Sequence, residues 1–520
     1  MRFLPVRAGS TLIELDSLNE ALALAAALSV NPIEGILEIV PAARTVLVVF
    51  DPEQISEEKI AAQIAGLNLS IAAAPSGPLV EIPVRYDGED LADVASMVGI
   101  SEAEVVRRHT DSQYTVAFTG FAPGFAYLVG GDPSLNVPRR KTPRVQIKAG
   151  DVALAGEFSG IYPKDSPGGW QLIGSTPLVM FDPEREPAAL LEPGFRVQFR
   201  DVTNEQFEVQ PLEYKKRARQ SRSAAVSIEI TYSMFPVLIQ DEGRPGKSSQ
   251  GVSESGAADK ASYRIANRLV GNEPGVAALE ITLGQVQLKA AGKMFLALSG
   301  APASMTVRKP DGRTKVAGRF EVLALDSGDI LTIGVPPRGL RSYLAVRGGF
   351  DVPRFLGSSS RDLLAKIGPS ALVAGSIVDV LEAPKSAIVS TGEMEPFPMP
   401  SVGETIAIDI TLGPRDDWFT DDSVARFLAQ PWEVSPQSSR IGLRLTGSAL
   451  GRVDQRELPS EATVHGAIQV PPNGLPVLFL NDHPVTGGYP VIANVARHHL
   501  DLAGQLPPGV HLRFNRQSLP

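Results

Sequence analysis

The spacing of apolar residues divides the chain into stretches of different period. From Arg2 to Leu69, Leu12–Leu15, Gly35–Val40 and Thr45–Phe50 read as strands, while Leu18–Leu28 and Ser56–Leu67 read as helices. With a further strand at Val80–Val84 the order becomes βαββαβ. That order predicts a ferredoxin-like α+β domain over residues 1–84, two helices covering one face of an antiparallel sheet. Asp90–Val94 opens another helix, and Ser101-Glu102-Ala103-Glu104 has the form of an N-cap followed by an acidic first turn. From Tyr114 to Phe199 the pattern changes to short β segments broken by Gly and Pro, such as Val152–Ala155 and Gln171–Ile173. A compact barrel is expected within residues 85–210.

Two stretches interrupt the patterning. Residues 211–227 hold Lys215, Lys216, Arg217, Arg219 and Arg222 among small polar residues, with no aromatic beyond Tyr214, and read as a basic linker. Residues 386–403 are broken by Pro396, Pro398 and Pro400 and separate two β-rich units, 228–385 and 404–520. The fold class is therefore α+β, predominantly β, and 48 Gly with 43 Pro in 520 residues fit many short strands joined by turns.

Charge and cysteine content narrow the chemistry. A net charge of −9 with dispersed Lys and Arg argues against nucleic acid as a ligand. The absence of Cys excludes a thiolate nucleophile and Cys-based metal sites. The Ala-rich stretch 22–30 is too short to span a bilayer, so a cytoplasmic protein without membrane attachment is expected.

Candidate chemistry concentrates in residues 119–170. Gly120, Phe121, Pro123, Gly124, Phe125 and Tyr127 alternate pliant backbone with aromatic rings, as a pocket-lining loop does. Arg139, Arg140 and Arg144 form a cationic turn suited to carboxylate or phosphate. Tyr162 and Gly168-Gly169-Trp170 supply further small loops; the same Gly-Gly-aromatic spacing returns at Gly487-Gly488-Tyr489, as if two barrels use one kind of bend. Asp241 to Ser248 superficially resembles a phosphate-binding loop, but a carboxylate stands where its first glycine belongs, so a Walker site is rejected. None of the six histidines has metal-ligand spacing. His109, Asp482 and Glu461 are the candidates for proton transfer.

Residues 80–200 resemble the KipI, or allophanate-hydrolase-subunit-1, family through Gly120-Phe121-Ala122-Pro123-Gly124-Phe125, Pro138-Arg139-Arg140, Gly160-Ile161-Tyr162-Pro163 and Ser166-Pro167-Gly168-Gly169-Trp170. Residues 228–515 resemble KipA, or allophanate-hydrolase-subunit-2, through Gln240-Asp241, Gly243-Arg244-Pro245-Gly246, Gly466-Ala467-Ile468-Gln469-Val470-Pro471 and Thr486-Gly487-Gly488-Tyr489-Pro490. The resemblance implies cyclophilin-like β-barrels in both halves with a cleft between them. It also implies ATP-dependent conversion of 5-oxoproline to glutamate, with Mg accompanying ATP, by a complex completed by a separate LamB/YcsF-type subunit. Asp241, Arg244, Gln469, Thr486, Gly487, Gly488 and Tyr489 join the first-half residues as expected binding positions. Two other readings attach to the same resemblance: carboxyl transfer to urea or a similar small amide, which needs a biotin carrier, and inhibition of a sensor kinase. A homo-oligomer is compatible with all three. Glu157, Phe158 and Val485 replace small polar residues of the family pattern and bear on which substrate is held; Gly357-Ser358-Ser359-Ser360-Arg361 departs from it too.

Overall fold

The computed structural model describes residues 1–69, 77–205, 226–383, 388–456 and 458–517. The basic linker therefore lies almost wholly outside the described residues, as does the start of the Pro-rich break. The fold is mostly β.

The first sheet runs in the order Arg2–Arg7, Ser10–Glu14, Thr45–Phe50, Ile36–Pro41, with every pairing antiparallel. Helices Leu18–Val30 and Glu57–Ala65 begin at Ser17 and Ser56, whose hydroxyls accept the N–H of Glu20 and Lys59. Their apolar sides, Leu24, Leu28, Ile60 and Ile64, pack with Ile13, Val46 and Val48. The other face of the sheet is covered as well: Leu4, Leu12 and Leu47 pack against Ala462, Phe479 and Val485 of the last domain.

The ferredoxin-like expectation is not met. The sheet position beside Ser10–Glu14 is filled by Arg2–Arg7, because a hairpin at Gly9 with φ of 81° folds the N-terminus back. The strand expected to close that domain, Leu79–Val84, instead runs parallel to Arg196–Asp201 in the second sheet.

That second sheet has seven strands, ordered Gln171–Ser175, Asp151–Ala155, Phe158–Ile161, Ala126–Val129, Gln113–Thr119, Arg196–Asp201, Leu79–Val84. It is a half-open barrel rather than a closed one. Its two edges touch through the paired backbone bonds of Arg85 and Ser175, both 2.8 Å, where Gly174 gives way: a Cβ there would lie 2.5 Å from the Arg85 carbonyl oxygen. Helices Leu91–Val98 and Glu102–Asp111 pack beside it.

The second half begins with a six-stranded and a five-stranded sheet sharing one apolar core. Helix Lys260–Val270 lies against strands Met294–Gly300 and Arg341–Val346 of the smaller sheet. A closed seven-stranded barrel follows, from Thr405–Leu412 to His511–Arg516, around Trp432, Phe427 and Phe514.

Candidate active site between the two halves

A cleft of about 700 Å³ opens between the half-open sheet and the closed barrel. One wall is aromatic. Phe125 stands edge-on to Tyr127, Tyr162 and Trp170, with ring centroids 5.1, 5.3 and 5.3 Å away. Above this nest the turn Pro138–Pro143 presents Arg139, Arg140 and Lys141. The facing wall belongs to the barrel and carries Arg452, Gln455, Arg456, Ser460 and Thr486–Tyr489. The two Gly-Gly-aromatic bends thus meet across one cleft, Gly168-Gly169-Trp170 on one side and Gly487-Gly488-Tyr489 on the other.

Local geometry explains the loop. After strand Gln113–Thr119 the chain reverses with Phe121 at φ 61° and Gly124 at φ 77°, closed by Gly120 N–H to Phe125 O at 3.2 Å. Gly120 is required by a close approach: a Cβ would sit 2.0 Å from Thr486 Oγ1, which accepts the Phe121 N–H at 3.2 Å. Pro123 precedes the positive-φ glycine in the same turn, but it is not part of the cleft lining. Gln469 is behind the facing wall and pins it by donating to Tyr489 O at 2.8 Å.

The arginines divide. Buried Asp90 receives Arg140 Nη1 at 2.5 Å, two Arg144 contacts at 2.8 Å and the Leu172 N–H at 2.7 Å. Burial acts to raise the Asp90 carboxyl, but hydrogen bonds from Arg144 and Leu172 outweigh it and hold the group below the usual carboxylate range. Arg140 remains in the cleft wall with its buried Nε unpartnered. Arg144 also grips Glu89 at 3.0 Å and lines a separate charged depression with Lys148.

Four further expected positions fall elsewhere. His109 is fully buried, its ring stacked on Phe199 and its nitrogens engaged by Tyr86 Oη at 2.7 Å and Ser159 Oγ at 2.9 Å. Burial lowers it to about 3, so it is a neutral core imidazole and not the proton carrier that its sequence position implied. Asp482 is equally enclosed, accepting from Arg440 at 3.0 and 3.1 Å, Ser255 at 2.7 Å and Leu363 N–H at 3.0 Å, which leaves it no access to the cleft. Asp241 ties down the run that departs from the family pattern, accepting Ser358 Oγ at 2.5 Å, Ser360 Oγ at 2.6 Å and Ser359 N–H at 2.6 Å. Arg244 is buried beside it with Nε and Nη1 unpartnered. Neither Asp241 nor Arg244 lines the cleft.

Glu461 occupies an intermediate place. It lines a 490 Å³ cavity that adjoins the cleft through Arg456 and Leu458, and it is ion-paired with Arg415, which also holds Glu14 at 2.8 Å. Burial raises its carboxyl while Arg415 acts to lower it. Of the three departures linked to substrate choice, Glu157 and Phe158 border a different cavity and Val485 is buried in the apolar junction of the halves. Asp409, His498 and His499 gather on the surface of the barrel, where His499 Nδ1 already accepts the Asp409 N–H at 2.8 Å.

Sequence reasoning missed Arg452, Gln455, Arg456 and Ser460. They stand in an irregular loop more than 280 positions from the aromatic wall, with no repeated spacing to mark them. The segment resembling a phosphate loop proves to be a fastening between halves. Ser248 O accepts from Thr119 Oγ1 at 3.0 Å, Gln250 O accepts the Gly124 N–H at 2.9 Å, and the Ser248 N–H reaches Glu38 at 3.0 Å.

Models of the carboxyltransferase domain match the chain twice, subdomains C and D over residues 1–191 and subdomains A and B over residues 250–516. Fold and cleft thus define a two-part carboxyltransferase-domain protein. The second part is 37% identical to a 5-oxoprolinase subunit of Escherichia coli (strain K12) over 295 residues, 56% of this chain and 92% of that protein. The first is 41% identical to a different 5-oxoprolinase subunit, from Escherichia coli O157:H7, over 169 residues, 32% of this chain and 78% of that protein. The crystal structure of TTHA0988 superposes with a TM-score of 0.82 at 33% identity, covering 97% of this chain and 99% of that one. The chain belongs to the KipI/KipA family of 5-oxoprolinase subunits, with the two kinds joined in one polypeptide.

Proposed function

We propose that the chain supplies, fused, the two small subunits of an ATP-dependent 5-oxoprolinase. It acts with a separate LamB/YcsF-type subunit to convert 5-oxoproline, ATP and water into glutamate, ADP and phosphate. The observation that carries this reading is the cleft: each half contributes one wall, and each half corresponds to a relative named as a distinct 5-oxoprolinase subunit.

The residues suit the substrate. A small lactam presents a flat, partly apolar ring to the aromatic nest, and its carboxylate meets Arg139 and Arg140. An amide is a poor electrophile, so ATP, with Mg, supplies a phosphoryl group to the lactam oxygen and leaves as ADP. A first water then adds at the activated carbon and the ring C–N bond breaks, the freed nitrogen taking a proton; a second water then attacks the resulting acyl phosphate, and phosphate departs with the lactam oxygen. Arg452 and Arg456 face the negative charge that develops. Among the described residues the lining offers cations, hydroxyls and aromatic rings but no carboxylate or imidazole. That composition supports assigning the proton-transferring group to the partner subunit.

Arg139→Ala with Arg140→Ala is expected to raise KM for 5-oxoproline by roughly 10- to 100-fold in the assembled enzyme, the worth of charged hydrogen bonds. Unchanged kcat and KM would remove the anion-binding wall from the account. A second reading, carboxyl transfer from a biotin carrier to a small amide, is favoured by the carboxyltransferase-domain match. Carboxylation of urea on adding a biotinylated carrier, with no glutamate formed from 5-oxoproline, would select it.

A further inference from the structure

A further cavity, of about 420 Å³, lies where the N-terminal sheet, the turn Pro245–Ser248 and the last barrel meet. It shares no lining residue with the cleft. Its lining holds five cations against three carboxylates. Glu38 accepts the Ser248 N–H, Glu254 pairs with Lys260 at 2.5 Å, and Asp501 accepts the N–H groups of Lys260 and Ala261 at 2.9 and 3.2 Å. Arg264 is held by Glu242 at 2.7 Å. Arg7, Lys247 and Arg497 make no ion pair among the described residues, and neither do Glu38 and Asp501; Arg7 donates to the His465 carbonyl oxygen at 2.5 Å.

His465 lines the same cavity, and its buried Nε2 has no hydrogen-bond partner. Burial and then the charge of Arg7 hold this imidazole well below its usual range. Burial also pushes Arg7 down to about 10, with Glu254 opposing and Arg497 adding to the shift. A surplus of positive charge in a partly enclosed volume favours the entry of an anion.

We propose that this cavity binds a polyphosphate anion, free or as the tail of a nucleotide, through Arg7, Lys247, Arg497 and His465. Its volume falls within the roughly 300–1,000 Å³ usual for small-molecule sites. Donors from three separate parts of the fold suit a ligand with several anionic oxygens. The residues that follow Lys247 fasten the aromatic loop through Ser248 and Gln250, so the occupied site braces one wall of the cleft. This inference goes beyond the oxoprolinase reading and does not depend on it.

The test is calorimetric titration of the full chain at low salt with triphosphate, pyrophosphate and ATP. Triphosphate is expected to bind, and Lys247→Ala with Arg497→Ala to weaken it at least about tenfold without lowering Tm, whereas Lys293→Ala, at a remote turn, leaves it intact. Arg497→Glu, at an exposed side chain, serves if the double variant is unstable. ATP binding about tenfold tighter than triphosphate assigns the site to a nucleotide, and equal affinity assigns it to the phosphates alone. No binding by the unaltered chain, or binding unchanged in the variants, overturns the proposal.

Discussion

A buried histidine and a buried aspartate behave oppositely in this molecule, and the environment of each decides it. Asp90 stays ionised because two guanidinium groups and a backbone N–H surround it. His109 stays neutral because its partners are hydroxyls and its neighbours are rings. Its ordinary value near 6.5 falls to about 3 in the folded chain. A folded-state value below the unfolded one means stability that is fully present above about pH 6.5 and is lost as pH falls toward the folded value. The Tm difference between the unaltered chain and His109→Gln should therefore be largest at pH 7 and shrink by pH 5. The pH profile of turnover should be unmoved. A Tm gap independent of pH, or a displaced activity profile, would return His109 to the list of proton carriers.

At the scale of elements, local signals are legible in the sequence and partnerships are not. Helices Leu18–Val30 and Glu57–Ala65 fall where the apolar period places them, and Glu102–Asp111 where its Ser101 cap does. Strand Thr45–Phe50 reads Thr-Val-Leu-Val-Val-Phe, a continuous apolar run that marks burial on both faces. The last barrel supplies the second cover, which no local pattern announces. For the same reason Leu79–Val84 reads into the wrong sheet: its sequence specifies a strand, but its partner Arg196–Asp201 lies more than a hundred residues away. In the site, the aromatic loop and the Gly-Gly bends are legible because turn chemistry fixes them, whereas Arg452, Gln455, Arg456 and Ser460 reach the cleft only through the closure of the barrel. The segment Gly243–Gly251 gives a test at this scale. Gly251 has φ of 71° and a Cβ there would meet Ala122 O at 2.7 Å, while Gly246, with φ of 72°, faces open space. Gly251→Ala should cost about 1–3 kcal/mol and depress turnover by displacing the aromatic loop. Gly246→Ala should bring backbone strain alone, about 1 kcal/mol, with turnover retained. Equal effects in thermal unfolding and activity would refute the fastening role.

For the whole molecule, the two halves are held together by more than the covalent link. The apolar junction around Leu47 and Phe479, the Gly120–Thr486 approach and the Ser248–Gly251 fastening all cross between them. Residues 1–205 and 226–520 expressed as separate chains are therefore expected to co-purify as a stoichiometric pair and to keep the activity of the fused form; halves that separate on gel filtration would show that the linker, not the interface, holds the cleft closed. The central claim is tested most directly by mixing the purified chain with the proposed LamB/YcsF-type subunit and following glutamate and phosphate release from 5-oxoproline and ATP. The account predicts equimolar release that requires both proteins. Formation of the complex with neither product released would contradict it.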